Sequence, residues 1–358
     1  MFSFLKPLIF GLDPEVAHDL AIKSLKLNII PEHVFKVENE EILETNFLKK
    51  KLKNPIGMAA GFDKSAEVYN SLFKLGFGFV EVGTVTPIKQ TGNPKPRIFR
   101  LEEDEALINR LGFNNDGLET ILKRLESGQL IKRDNILGVN IGPNFNSESF
   151  ESDFCKSAES LMKLSLADYI TINISSPNTE NLRDFHDESK LDSLLEAINK
   201  LKKEFGSLMP IFVKVSPDIK DSSVEKISEI IITQKVQGAI LTNTTSINRE
   251  ILKSSNKNQS GGLSGKPIRD LSNKMISKFY KKLNGKALII GVGGVDSGKS
   301  AFEKIAAGAN AVQLYTGMIY KGPGIIKEIK KDLIEILKNE KIKNISEAVG
   351  LRSNIKLI

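Results

Sequence analysis

A cluster of polar side chains follows one apolar run of the sequence. The run 169-YITINI-174 is typical of a buried strand, and the segment 171-TINISSPNTENLR-183 then supplies Asn173, Ser176 and Asn178. An amide side chain offers both donors and an acceptor, so several of them together can match a planar ligand with alternating hydrogen-bonding groups without adding charge. The residue types therefore favour a site for a polar ring compound where this strand ends.

Seven other apolar or β-branched runs close on a glycine or a polar residue in the same way. The eight runs span 56–62, 79–85, 136–142, 169–175, 211–217, 239–245, 288–294 and 311–317. Stretches with helical periodicity alternate with them, at 64–75, 115–127, 149–165, 188–205, 222–235, 267–283, 297–307 and 323–338. Eight strand–helix units predict an α/β fold, a closed (β/α)8 TIM barrel with a parallel sheet.

In such a barrel the carboxyl ends of all strands meet at one face, where the loops carry the functional residues. The residues at or just after those ends are Gly61, Lys64, Thr84, Asn140, Asn173, Ser176, Asn178, Lys214, Thr242, Asn243, Thr244, Gly294, Tyr315 and Thr316. They are mostly neutral hydrogen-bonding groups with two lysines. The absence of a carboxylate pair or a histidine among them argues against metal-dependent or glycoside hydrolysis, and no metal site is predicted.

The seventh and eighth predicted strands run into glycine-rich turns, 291-GVGGVDS-297 and 314-LYTGMIYKGPG-324. Glycines let a backbone approach an anion closely, and helix starts supply N–H donors, so the two turns indicate a phosphate site; tight turns without a ligand are the alternative. A phosphate there, with a wide ring extending towards Lys214 and Asn140, predicts one flavin mononucleotide (FMN) per chain. Lys214 would stabilise negative charge on the ring, or else form a structural ion pair.

The composition and net charge of the chain argue against several classes of protein. The chain has 358 residues and a formal net charge of +7, but its lysines are spread without interleaved aromatic residues, so no nucleic-acid partner is predicted. The single cysteine, Cys155, cannot form a disulfide or hold an iron–sulfur cluster within the chain, which fits a reducing compartment. No apolar run approaches the roughly 18 residues that span a bilayer.

The amino terminus is rich in large apolar residues between Phe2 and Leu12. Asp13 and Pro14 are then typical of the N-cap and the first turn of a helix. Two short amphipathic helices are expected within residues 1–30, either as a lid on the main domain or as a pair lying in a membrane surface. The predicted organisation is an amino-terminal helical segment at 1–45, the barrel at 46–340 and a carboxyl-terminal tail at 341–358.

Eight motifs in order resemble one family. They are 57-GMAAGFDK-64, 81-EVGTVTP-87, 108-INRLGFNN-115, 173-NISSPNT-179, 242-TNTT-245, 260-SGGLSGKP-267, 290-IGVGGVDS-297 and 314-LYTGMIYKGP-323. The chain resembles the membrane-associated, quinone-dependent class 2 dihydroorotate dehydrogenases from about residue 10 to residue 335. The resemblance implies oxidation of (S)-dihydroorotate to orotate in pyrimidine biosynthesis, with FMN passing the electrons to a membrane quinone.

The resemblance also implies roles for individual residues. Ser176 would be the catalytic base, which must pass its proton through a relay because an unaided hydroxyl is a poor base. The soluble class 1 members resemble this motif with a cysteine at that position, so the serine favours class 2. The implied substrate residues are Lys64, Asn109, Arg110, Leu111, Gly112, Phe113, Asn173, Asn178, Asn243 and Thr244, with the backbone contributing across 109–113. The implied FMN residues are Ala60, Gly61, Phe62, Asp63, Lys64, Thr84, Asn140, Asn173, Lys214, Thr242, Gly265, Gly294, Tyr315 and Thr316.

For the second half-reaction, the resemblance implies a quinone site near His18 and Arg100, reached between the amino-terminal helices. It further implies peripheral attachment to the cytoplasmic side of the cell membrane, and we expect a monomer or weak homodimer. Three alternatives stay open at this point: a soluble class 1 enzyme with another acceptor, a different flavin barrel such as a tRNA dihydrouridine synthase, and a barrel that binds the ligands without catalysis.

Overall fold

The computed structural model describes residues 2–27, 40–128, 134–247 and 249–353. Its centre is a closed barrel of eight parallel strands, which confirms the predicted (β/α)8 fold. The barrel strands are β3 (Ile56–Met58), β4 (Phe79–Val85), β7 (Ile136–Ile141), β8 (Tyr169–Asn173), β9 (Ile211–Val215), β10 (Gly238–Leu241), β12 (Leu288–Val292) and β13 (Ala311–Leu314). Each lies within one of the eight predicted runs or begins one residue before it.

Helices cover the outside of the barrel in the predicted alternation. They are α3 (Tyr69–Lys74), α4 (Leu118–Gly128), α5 (Phe150–Leu164), α6 (Glu188–Glu204), α7 (Asp221–Thr233), α8 (Arg269–Leu283), α9 (Gly298–Ala306), α10 (Thr316–Lys321) and α11 (Ile325–Asn339). The sequence predicted the first of them from residue 64, which is five residues early. The Asp63 carboxylate accepts the backbone N–H groups of Glu67 and Val68, and Ala66 has a left-handed φ of 54°, so this segment is a loop that brings Lys64 to the rim.

The amino-terminal end of the barrel is closed by a short hairpin that the sequence did not predict. Its strands are β1 (Thr45–Phe47) and β2 (Lys50–Leu52). The Phe47 ring stacks on Phe79 and Phe212 with centroids 5.9 and 6.1 Å apart, in the offset geometry that aromatic pairs favour. This apolar plug leaves the opposite end, where the strands have their carboxyl termini, as the open one.

A second unpredicted sheet lies over that open end. It consists of β5 (Ile98–Leu101), β6 (Ala106–Asn109) and β11 (Gly262–Gly265), paired antiparallel in the order β11-β6-β5. The strand β6 ends at Asn109 and β11 ends at Gly265, so the sheet delivers two predicted site residues from outside the barrel. Tyr320 of α10 donates its hydroxyl to Ala106 O at 2.7 Å and ties the sheet to the barrel.

The predicted pair of amino-terminal helices is also present, as α1 (Phe2–Phe10) and α2 (Pro14–Lys26). The Asp13 side chain caps α2 by accepting the N–H groups of Glu15 and Val16. Residues 28–39, which belong to the predicted segment 1–45, lie outside the described residues. Among those described, no helix combines the length and apolar character that crossing a bilayer requires.

The carboxyl-terminal tail packs against the barrel as far as residue 353. A 3-10 turn at Ile345–Ala348 is followed by backbone hydrogen bonds from Gly350 N to Ile305 O and from Arg352 N to Ala306 O. The predicted tail from residue 341 is thus an ordered cover over α9 in this part, and residues 354–358 lie outside the described residues.

Candidate active site

The open end of the barrel encloses a cavity with about 1170 Å³ of empty volume, beneath the sheet of β5, β6 and β11. Its wall combines apolar side chains with a few convergent hydrogen-bonding groups, as pockets for small ligands and cofactors usually do. The predicted site residues that line it are Ala60, Gly61, Lys64, Thr84, Asn109, Leu111, Gly112, Phe113, Asn173, Ser176, Asn178, Lys214, Thr242, Asn243, Thr244, Gly265, Gly294, Tyr315 and Thr316. Most of the predicted site is therefore one cavity.

Four predicted site residues turn their side chains elsewhere. Arg110 lies over the Phe99 ring and donates to Gln259 and Ser260, which leaves its backbone as the part near the cavity. The Asp63 carboxylate caps the loop before α3. Phe62 contacts a neighbouring apolar cavity, and Asn140 is fully buried below the floor.

Ser176 lies in the loop after β8 and is buried. Its Oγ accepts the backbone N–H of Asn178 at 3.2 Å, and no other hydrogen bond to this oxygen occurs among the residues that the structure describes. The hydroxyl proton is thus available to a partner in the cavity. The neighbouring Ser175 is engaged differently, because its Oγ donates to Asn173 Oδ1 at 3.0 Å.

The asparagines around the cavity make only long contacts with one another. Asn178 Nδ2 lies 3.4 Å from Asn109 Oδ1, Asn109 Nδ2 lies 3.5 Å from Gly262 O, and Asn243 Nδ2 lies 3.4 Å from Asn173 Oδ1. Such distances are at the limit of hydrogen bonding, so the amides of Asn109 and Asn178 retain capacity for a better partner. A ligand with ring N–H and C=O groups would supply it. The other two amides are better satisfied, because Asn173 Nδ2 donates to Thr84 at 3.0 Å and Asn243 Nδ2 donates to Ser175 at 2.9 Å.

Two lysines give the cavity its positive charge. Burial lowers the pKa of Lys64 to about 8, although Glu15 and Asp19 oppose that effect. Burial also lowers the pKa of Lys214, and the Glu81 carboxylate acts in the opposite direction. A negatively charged ligand would favour the protonated form of both side chains.

The residues of the cavity fit a flavin with a phosphate. Thr242 Oγ1 is buried in the cavity wall and has no hydrogen-bond partner within the described ranges, which is unusual for a buried hydroxyl. Gly265 and Gly294 have φ values of 99° and 73°, and a Cβ there would lie 2.4 Å from Glu105 O and 2.7 Å from Arg269 Cβ. Only glycine fits at either position, and the bare backbone forms that part of the wall.

An apolar cavity with about 1080 Å³ of empty volume lies between the amino-terminal helices and the barrel rim. It shares Ile98, Leu107 and Tyr315 with the polar cavity, so the two spaces meet at one edge. Both predicted quinone residues, His18 and Arg100, line it.

His18 and Arg100 have different surroundings in the apolar cavity. The His18 ring meets Phe62 edge to face at 5.3 Å, and burial together with the nearby Lys64 lowers its pKa to about 3. Arg100 donates to the carbonyl oxygens of Phe10 and Leu12 at 3.0 and 2.8 Å, and its guanidinium lies over the Phe10 ring. Arg100 therefore fastens the end of α1 to β5, and His18 presents a neutral imidazole.

Sequence reasoning missed two charged groups. Glu81 is fully buried within β4 and accepts four hydrogen bonds inside the barrel. Arg97 is also buried, forms a bidentate ion pair with Glu15 of α2, and donates to Thr91 O and Asn93 O. Glu81 did carry a signal, since it interrupts the apolar run 79–85, whereas nothing in the sequence marks Arg97. The hairpin of β5 and β6 did carry a signal, since 98-IFRL-101 and 106-ALIN-109 flank a short acidic turn.

Comparison with known proteins gives a consistent result. A family model described as dihydroorotate dehydrogenase matches residues 42–337. A protein of Idiomarina loihiensis named dihydroorotate dehydrogenase (quinone) is 43% identical over 340 residues, covering 93% of this chain and all of that protein. A protein of the same name from Xanthobacter autotrophicus is 40% identical over 355 residues, covering 98% of this chain and 99% of its own.

Comparison with solved structures indicates the same family as the sequence comparison. The crystal structure of DHODH from Eimeria tenella in complex with ferulenol superposes with a TM-score of 0.90 at 38% sequence identity, covering 97% of this chain and 99% of that one. The ligand-free form from the same organism also superposes with a TM-score of 0.90, at 39% identity.

Proposed function

This chain belongs to the dihydroorotate dehydrogenase family, and from that premise we propose that it oxidises dihydroorotate to orotate with a bound flavin and delivers the electrons to a quinone. The observation that carries the proposal is the meeting of two cavities of opposite character at Ile98, Leu107 and Tyr315. One is polar and contains Ser176 and the asparagines, and the other is apolar and opens beside the amino-terminal helices. An enzyme that transfers electrons from a polar acid to an apolar acceptor requires one cavity of each kind.

The flavin in this proposal is FMN. A flavin bound here supplies the acceptor for the hydride that leaves C6 of the substrate. The glycine backbone at Gly265 and Gly294, with Tyr315 and Thr316, would hold its phosphate. The unpartnered Thr242 hydroxyl and Lys214 would contact the ring.

The substrate is held by neutral amides and one lysine. Asn109, Asn173, Asn178 and Asn243 offer donors and acceptors to the ring amides, and Lys64 pairs with the carboxylate. The long contacts of Asn109 and Asn178 support the proposal, because a ring group placed between these amides would offer them a better partner. The backbone of Leu111 and Gly112 and the Phe113 ring complete the wall.

Ser176 acts as the base that removes the proton from C5. Its Oγ accepts one backbone N–H from Asn178, which stabilises negative charge as the hydroxyl gives up its own proton. The proton must pass onward as it arrives, since the pKa of an ordinary hydroxyl is far above neutral. The class 1 alternative is disfavoured because that class has a cysteine at this position and because this chain has the apolar cavity.

The helix pair provides the proposed path for the quinone. Its outer face exposes the apolar side chains of Phe4, Leu5, Leu8 and Val16, whereas Leu12 and Leu20 line the apolar cavity. Apolar side chains that face outward on short helices support attachment to the membrane surface, here the cytoplasmic face of the cell membrane. A tail inserted between α1 and α2 would bring the quinone head group towards His18 and Arg100. For the chain itself we propose a monomer or a weak homodimer.

A visible spectrum tests the proposal most directly. The purified holoenzyme should show flavin absorbance that bleaches on anaerobic addition of dihydroorotate and returns on addition of a quinone. A protein that is yellow but does not bleach would be a binding barrel without this activity. A protein that bleaches but is reoxidised only by soluble acceptors would favour the class 1 alternative.

A further inference from the structure

One carboxylate lies deep in the barrel below the polar cavity. Glu81 of β4 is fully buried and does not line the cavity. Its Oε1 accepts Asn140 Nδ2 at 2.8 Å, and its Oε2 accepts the Tyr169 hydroxyl at 2.9 Å, Gln313 Nε2 at 3.1 Å and the Thr171 hydroxyl at 3.3 Å. Donors from three other strands thus converge on one residue.

The carboxylate fixes the direction of a chain of hydrogen bonds that ends in the cavity. An ionised carboxylate only accepts, so Asn140 must turn its NH₂ group towards Glu81 and its carbonyl towards Thr84. The Thr84 hydroxyl donates to that carbonyl at 2.6 Å, so its oxygen is left to accept Asn173 Nδ2 at 3.0 Å. The carbonyl of Asn173 then faces Ser175 and Asn243.

Each link in this chain depends on the one below it. If Asn140 were reversed, Thr84 would have to accept from Asn140 and donate to Asn173, and Asn173 would present its NH₂ group where it now presents its carbonyl. Asn173 and Asn243 line the cavity directly, so the reversal would exchange donors and acceptors at the ligand. A buried network with only one satisfied arrangement is rigid, whereas one with two arrangements is not.

The charge of Glu81 also affects ionisable groups in and below the cavity. The Glu81 carboxylate opposes the lowering of the Lys214 pKa by burial, which favours the protonated form of this cavity-lining side chain. Burial and the same carboxylate raise the pKa of Tyr169, so the phenol remains a donor to Glu81.

We propose that Glu81 is a positioning residue of the active site: through Asn140, Thr84 and Asn173 it determines which atoms of the floor amides face the bound rings, without touching them. The inference rests on the proposed function for the identity of the ligands. It goes beyond that function because it assigns a role to a residue outside the cavity.

Glu81→Gln tests the proposal in the purified holoenzyme. The amide keeps the size of the carboxylate but can accept or donate towards Asn140, so the direction of the chain is no longer fixed. We expect orotate to bind the oxidised holoenzyme about 10-fold to 100-fold more weakly and the flavin to dissociate faster, as when a hydrogen bond to a charged group is lost. Orotate affinity is measured by titrating the flavin spectrum, and flavin release by recovery of free-flavin fluorescence.

Tyr169→Phe is the matched control, because it removes one donor to Glu81 but lies off the chain to Asn173. We expect it to lower the melting temperature as Glu81→Gln does, and to leave orotate affinity within about twofold. An equal loss of affinity in both variants would show that Glu81 matters only for packing, and an unchanged affinity in Glu81→Gln would also overturn the proposal.

Thr84→Val gives an independent test if Glu81→Gln folds poorly. It removes the middle link, so it must weaken orotate binding, and wild-type affinity in this variant would overturn the proposal. Where both variants fold, the double variant should bind no more weakly than Thr84→Val alone, because both changes break the same chain. Additive losses of orotate affinity in the double variant would contradict the proposal that Glu81 acts through Thr84. The rate of flavin release can be measured even if dihydroorotate fails to bleach the wild type. A failure of the proposed reaction is therefore distinguishable from a failure of this inference.

Discussion

The polar and the apolar cavity share Ile98, Leu107 and Tyr315, but they are built in opposite ways. The floor of the polar cavity consists of strand ends joined by buried hydrogen bonds of 2.6–3.0 Å between Thr84, Asn140, Asn173 and Glu81. The apolar cavity is closed on one side by a helix pair that Arg97 and Arg100 fasten to the barrel. In the proposed function, the chemistry therefore belongs to the hydrogen-bonded strand ends, and the path to the acceptor belongs to the added helix pair.

The electrostatics of the two cavities differ in the same way. Lys64 has a pKa of about 8, so it titrates in a range where an enzyme is assayed. His18 has a pKa of about 3 and is neutral there. The polar cavity can therefore respond to pH through a charge, whereas the apolar cavity presents no charge at His18 that changes in this range.

Ser176→Ala tests whether the chemistry belongs only to the polar cavity, and it carries the largest expected effect. General-base catalysis typically contributes about 10²-fold to 10⁴-fold, and we expect a loss of that size with a soluble dye and with a quinone alike. Turnover is measured with both acceptors. Flavin content and orotate binding should be unchanged, and near wild-type turnover would mean that another group is the base.

Deletion of residues 2–12 makes the converse test. The apolar side chains of α1 should no longer guide a long-tailed quinone, so we expect about 10-fold or greater loss of turnover with that acceptor, since one buried apolar side chain contributes roughly 1.5–3 kcal/mol. Turnover with a soluble dye should stay near wild type. Equal loss with both acceptors would mean that the helices also support the polar cavity.

A milder variant separates membrane contact from folding. Phe4 and Leu8 are 85% and 73% exposed, so replacing both by serine removes little internal packing. Leu208→Ser is the matched control, because Leu208 is 92% exposed and lies in the loop between α6 and β9. Only the first variant should bind lipid vesicles more weakly; equal binding by both would contradict a docking role for α1.

The sequence predicted the barrel well because its strands are buried on both faces and read as continuous apolar runs. The rule that strand ends meet at one face then gathered most of the site, including Thr84, Lys214 and Thr242. Asn109 and Gly265 followed only from the family resemblance, since the sheet of β5, β6 and β11 inserts them from outside the barrel.

The partners of Glu81 and Arg97 could not have been predicted, for a physical reason. A charged residue is normally exposed, and only the closed barrel brings Asn140, Tyr169 and Gln313 from separate strands to the Glu81 carboxylate. The pairing of Arg97 with Glu15 likewise joins residues 82 positions apart. Periodicity reports which face of an element is apolar, and it does not report which buried polar groups meet.

The pH dependence of the two Michaelis constants sharpens the comparison. Lys64 is charged below pH about 8 and loses its charge above it, so the KM for dihydroorotate should be flat at lower pH and then rise by up to about 10-fold per pH unit. The KM for quinone should not change between about pH 5 and about pH 9, because His18 remains neutral. Steady-state kinetics with each substrate varied in turn measures both, and Lys64→Met should abolish the first dependence. A flat profile for dihydroorotate in the wild type would remove Lys64 from the substrate site.

Glu15→Gln carries the smallest expected effect, and it tests whether the two cavities act independently. Arg97 NH2 donates to Glu15 Oε1 at 2.5 Å, and the neutral amide should loosen α2 and raise the KM for quinone by about threefold to 10-fold, short of the cost of removing a buried partner outright. Asp19→Asn is the matched control, since it makes the same charge change at an exposed position on the same helix. Dye-linked kinetics should be unaffected by either variant when measured well below the Lys64 pKa of about 8, because both carboxylates help to raise that pKa. Arg97 also donates to Asn93 O, and Asn93 Nδ2 donates to Arg110 O beside the proposed substrate site. If Glu15→Gln raises the KM for dihydroorotate as much as that for quinone, this contact couples the two cavities and they do not act independently.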